Sequence, residues 1–107
     1  MRVVFRPAAR RDIILQTGYY FDELAYEAAE RFPTAVEIAI RQIGEQPGIG
    51  SLRFFDSPKL HGLRCWPVPG FEDIRIYYIQ PQPALIRIVR VLHGRRDLAQ
   101  ILGAPQE

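Results

Sequence analysis

An α+β fold, in which a helical hairpin packs on one face of a mostly antiparallel sheet of four or so strands, is predicted by three observations. Apolar residues recur at three- to four-residue spacings through residues 8–43, the helical period. After residue 63 the pattern changes to short runs rich in β-branched and aromatic residues. Pro- and Gly-rich stretches separate these regions and punctuate the later runs. Helices grouped early and strands grouped late define α+β rather than alternating α/β. At 107 residues the chain reads as a single domain spanning 1–107, large enough to hold a core without staples.

The elements follow in order. Residues 3–6 (Val-Val-Phe-Arg) form a short N-terminal strand that stops at Pro7, a residue suited to the first turn of a helix. From Ala8, the positions Ala9, Ile13, Tyr20, Phe21 and Leu24, with Thr17 between, make an apolar stripe that leaves Asp12, Asp22 and Glu23 outside it. Gly18 weakens this helix by about 1 kcal/mol against alanine. A second stripe runs Ala25, Ala29, Phe32, Val36, Ala39, Ile40, Ile43, keeps its phase across Pro33, and ends at Gly44 and Pro47. Pro33 removes one backbone bond, so a kink is expected there. Residues 47–62 are a loop by composition, with room for a short strand at Leu52-Arg53-Phe54-Phe55. Three extended segments follow: Leu63 to Val68, Asp73 to Ile79, and Leu85 to Leu92. Their short connections suit hairpins. Arg95 to Leu102 is expected to form a short C-terminal helix.

In the last strand, Leu85, Arg87, Val89, Val91 and His93 are expected on one side and Ile86, Ile88, Arg90 and Leu92 on the other. Both sides are largely apolar, which a strand with one wet face would not show. The second face is therefore expected to meet a partner.

Charge is uneven. Thirteen of the 14 basic residues are arginine, and Lys59 is the sole lysine. Residues 8–46 carry four arginines against seven acids, whereas residues 47–107 carry eight basic groups against five acids. An acidic helical half and a basic second half point to an anionic partner on one side. The lone Cys65 excludes an internal disulfide framework and reads as a small buried hydrophobe. No glycine loop for phosphate, paired-carboxylate site or metal cluster is present, so no cofactor and no metal are expected. No apolar run approaches the roughly 20 residues that span a bilayer, and a cytoplasmic protein without membrane partners is the expectation.

Several motifs resemble those of the ParE/RelE superfamily of toxin–antitoxin toxins. Ala28-Ala29-Glu30-Arg31-Phe32 followed by Gln46-Pro47-Gly48-Ile49-Gly50 is similar to the family's second helix and exit turn. Lys59-Leu60-His61-Gly62-Leu63-Arg64 resembles its entry to the central sheet. Gly70-Phe71-Glu72-Asp73-Ile74-Arg75-Ile76-Tyr77-Tyr78 is similar to a characteristic strand. Val89-Arg90-Val91-Leu92-His93-Gly94-Arg95-Arg96-Asp97 resembles the ending of the ParE branch. Together these cover nearly the whole chain, from about Val3 to Leu102.

The resemblance implies a toxin of a type II toxin–antitoxin system that inhibits DNA gyrase and blocks replication. It implies a cognate ParD-type antitoxin, a ribbon-helix-helix protein whose disordered C-terminal part folds onto the toxin. Contact with DNA would then come only through the antitoxin. Antitoxin contacts are expected at Tyr19, Tyr20 and Leu24 of the helical hairpin and at Arg75 and Arg87 of the sheet. The toxic surface is expected around His93, Arg95, Arg96 and Asp97. The alternative is a RelE-like, ribosome-dependent mRNA endonuclease. That chemistry needs cations at the scissile phosphate and an acid–base pair to move protons, for which Arg64, His93 and Arg95 are the candidates. His93 otherwise reads as a strand-end histidine that orders the turn into Gly94.

Overall fold

The structure, a computed structural model, describes residues 1–53 and 58–94. β1 (Arg2–Phe5) leads into α1 (Pro7–Asp22) and α2 (Tyr26–Glu45), followed by a two-residue β2 (Ser51–Leu52). β3 (Arg64–Val68), β4 (Phe71–Gln82) and β5 (Leu85–His93) complete the order. Short 3-10 turns at Pro47–Ile49 and Pro58–Leu60 lie either side of β2. The sheet runs β1-β5-β4-β3-β2, with β1 parallel to β5 and every other pair antiparallel. The expected α+β architecture is therefore present. The C-terminal helix expected over 95–102, and Phe54 and Phe55 of the expected loop strand, lie outside the described residues.

Pro7 occupies the first turn of α1, where its missing N–H costs nothing. The other end is less comfortable. Leu24 adopts a left-handed conformation with φ 61°. Its N–H donates to Phe21 O and that of Ala25 to Tyr20 O, the paired bonds of a Schellman stop. Glycine usually fills that position, because a side chain there is strained by about 1–2 kcal/mol. The sequence stripe placed Phe21 and Leu24 on the core face; both are exposed instead. Phe21 lies about 100° round the helix from Tyr20, and Leu24 has already left it. α2 continues through Pro33 as one element, with the proline on the solvent side and Ala29, Phe32, Val36, Ala39 and Ile43 buried in phase.

The two helices cover one face of the sheet. Phe32, Val36, Ala39 and Ile43 of α2 meet Ile74, Ile76 and Tyr78 of β4 and Ile86, Ile88 and Val91 of β5. Tyr20, Phe32 and Phe71 form a ring cluster with centroids 5.2–5.7 Å apart, tying α1, α2 and β4 together. Trp66 Nε1 donates to Gln42 Oε1 at 2.9 Å, fixing α2 against β3.

The apolar part of the second face is buried within the chain, while Arg75 and Arg87 on it are only half-buried. A separate buried cluster there joins Cys65, Tyr77, Ile79, Val89 and Leu92 to Leu60 and Leu63 of the preceding loop. The face assignment of β5 needs correction. Tyr77 opposes Arg90 but Tyr78 opposes Ile88, so Val89 is an extra residue in the ladder. This bulge resets the alternation. Val91 accordingly joins the helix-side cluster and not the face of Val89.

Pro67 is paired inside β3 opposite Arg75, and the turn is Pro69-Gly70, between the paired Val68 and Phe71. Gly70 has φ 82°, the value that a proline–glycine turn of this kind demands at its second position.

Candidate functional site

An open groove of about 670 Å³ lies between α1 and one end of the β4–β5 pair. Leu15, Tyr19 and Tyr20 form its helical wall, Phe71 and Ile74 its floor from β4, and Val91 and His93 its floor from β5. Glu72 and Asp73 stand at its rim, both exposed. Among the described residues, neither arginine nor lysine lines it. The groove thus mixes apolar and aromatic side chains with a carboxylate edge, a lining that suits an amphipathic segment.

Asp12 fixes the wall. The stripe left Asp12 outside the packed face, yet it points at the sheet. Its carboxylate accepts from Arg90 Nε at 2.8 Å, from Arg90 Nη2 at 2.9 Å and from Val91 N at 2.9 Å. A bidentate pair of this type is among the stronger polar contacts available, and it holds the Arg90 guanidinium even more firmly protonated than usual.

The expected antitoxin contacts fall into two groups. Tyr19 (54% exposed) and Tyr20 border the groove, and Leu24 (71% exposed) sits at the end of α1. Arg75 and Arg87 lie on the opposite sheet face, paired with Leu92 and Ile79 respectively. Both are half-buried. Arg75 Nε is buried without a hydrogen-bond partner among the described residues. Of the expected toxic surface, His93 borders the groove; Arg95, Arg96 and Asp97 lie outside the described residues.

Arg64 is committed elsewhere. Its Nη1 donates to Gly50 O at 2.7 Å and to Gly48 O at 3.4 Å, clasping the turn after α2. Tyr78 completes the clasp: its hydroxyl donates to Pro47 O at 2.6 Å and accepts from Gly50 N at 2.9 Å. A Cβ on Gly50 would lie 2.8 Å from both Cys65 O and the Tyr78 hydroxyl, so glycine is required there. Burial pushes the Tyr78 and Tyr77 phenols above their ordinary range. Cys65 is buried as expected, and its sulfur accepts from Arg53 Nε at 3.3 Å.

Arg64 pairs with Tyr78 and His93 with Ile74, on opposite sides of β4. Four residues of strand separate them, about 13 Å. They do not form one site. Among the described residues, no group of three His, Cys, Asp or Glu side chains is placed to hold a metal, and no helix is long and apolar enough to cross a membrane.

Sequence reasoning missed Leu15, Phe71 and Ile74 as groove residues. Ile14-Leu15, two consecutive aliphatics outside the stripe, were the signal available. A family model described as the ParE toxin of the type II toxin–antitoxin system parDE matches residues 3–98. No curated protein matches the chain.

Proposed function

Because the chain belongs to the ParE toxin family of type II toxin–antitoxin systems, we propose that it arrests growth by docking onto DNA gyrase, without cleaving nucleic acid. It is held inactive by a ParD-type antitoxin, and it acts in the cytoplasm where gyrase works. The match over residues 3–98 carries the toxin reading. What supports docking over phosphodiester cleavage is the commitment of Arg64 to loop carbonyls, with His93 on the far side of β4. Acid–base chemistry on a phosphate needs its cation and its proton carrier at one centre.

The antitoxin is read as covering the groove with an apolar stretch of its flexible part. Coupled folding lets such a segment wrap Tyr19, Tyr20 and Leu24.

Purified toxin added to a gyrase supercoiling reaction should inhibit it, and prior addition of the antitoxin should restore supercoiling. Cleavage of ribosome-bound mRNA that disappears in His93→Ala would overturn the reading in favour of the endonuclease.

A further inference from the structure

α1 is apolar well beyond the surface it buries. Ala9, Ile13 and Tyr20 face the core, and Leu15 and Tyr19 face the groove. A third stripe remains: Ile14, Gly18 and Phe21 follow one another at helical spacing on the side away from the sheet. Ile14 is 70% exposed and Phe21 49%. A Cβ on Gly18 would meet nothing within 4 Å, so neither crowding nor backbone conformation within one chain calls for glycine there.

The charges on this helix run the wrong way for a helix on its own. Arg10 and Arg11 stand near the N-terminus and Asp22 closes the C-terminus, while the first turn has no acid and the last no base. Each charge opposes the helix dipole. Arg10 is partly occupied, stacked over the Phe5 ring at 4.4 Å. Arg11 and Asp22 are exposed.

All of these features fit one arrangement. We infer that α1 is a self-association surface on which a second copy of this chain packs antiparallel, crossing near the middle of the helix beside Gly18. At about 100° per residue, Arg11 and Asp22 lie on the same flank of the stripe, at opposite ends. A two-fold axis across the helix brings Arg11 of each copy to Asp22 of the other, twice per dimer, and sets the two helix dipoles head to tail. Ile14 of one copy then drops between Gly18 and Phe21 of the other, where a side chain at position 18 would block approach. The arrangement that is unfavourable in one helix is complementary in the pair. The groove opens on another side of α1 and stays accessible.

The contact is one helix face, so the dimer is weak and its population depends on concentration. Sedimentation equilibrium on the full chain, purified free of antitoxin, should show a monomer–dimer equilibrium. Arg11→Asp and Asp22→Arg should each weaken dimerisation by about tenfold or more. An equimolar mixture of the two variants should recover wild-type association, because the mixed dimer holds one native Arg11–Asp22 pair and one pair with its signs exchanged. Gly18→Leu, which has space to fold, should also abolish the dimer while leaving the circular dichroism spectrum unchanged. A chain that stays monomeric at every concentration overturns the inference. So does a dimer indifferent to charge reversal, or a mixture that fails to recover. None of these readouts involves gyrase or growth, so they leave the toxin reading to its own test.

Discussion

At the scale of single residues, Tyr78 has the most consequential polar atom in the described core. Its hydroxyl satisfies both Pro47 O and Gly50 N where the chain leaves α2, so replacing it strands two backbone groups at once. Tyr78→Phe should therefore lower unfolding free energy by about 1–3 kcal/mol in a denaturant titration, although only one oxygen is lost. Tyr77 is the natural control. It is just as buried, but on the other face of the sheet. Burial raises both phenol pKa values in the fold. A raised folded value means that the stability is fully present below the unfolded value of about 10 and is lost as pH climbs through the folded values. Denaturant midpoints should hold from neutral pH to about 10 and then fall. Tyr77→Phe should fall less steeply, and an identical slope would show that the phenols are not the cause. Leu24, strained and exposed together, is the residue whose conformation makes least sense within the isolated chain.

At the scale of elements, local pattern foretold what is local. The second stripe marked the buried face of α2 because 3.6-residue periodicity survives a proline on the solvent side. The lost bond should still be measurable: Pro33→Ala restores an N–H to Ala29 O and should raise stability by about 1–3 kcal/mol. No gain in thermal midpoint would mean that the helix had already absorbed the defect. What the sequence hid is non-local. Alternation along β5 was projected through Val89 as though the ladder were regular, and one extra residue exchanged the faces beyond it. Asp12 looked like a solvated acid because its partner, Arg90, is 78 positions away. The groove was hidden for the same reason, being assembled from α1, the start of β4 and the end of β5, none of which announces a cavity alone. β1 joins β5 in parallel, a pairing that no hairpin signal encodes.

At the scale of the whole molecule, the charge division seen along the chain becomes a division between surfaces. The groove has a carboxylate rim at Glu72 and Asp73, and the sheet arginines Arg75 and Arg87 lie on the opposite face. An acidic antitoxin segment cannot be attracted equally to both. Its apolar part should occupy the groove, and its acidic part should continue to the arginine face. The two contacts differ in how they respond to salt, because screening weakens exposed charge pairs and leaves apolar burial nearly untouched. Tyr19 is more than half exposed, so Tyr19→Ala should leave the toxin's thermal midpoint unchanged yet weaken antitoxin binding by about 10- to 100-fold, as loss of an aromatic anchor does. Its affinity should keep the wild-type salt dependence. Arg75→Ala with Arg87→Ala should weaken binding mainly at low salt and flatten the plot of affinity against ionic strength. Calorimetric titrations across a salt series separate the two cases. If Tyr19→Ala binds as tightly as wild type, the groove is not where the antitoxin sits, and the exposed face of Ile14 and Phe21 becomes the surface to test next.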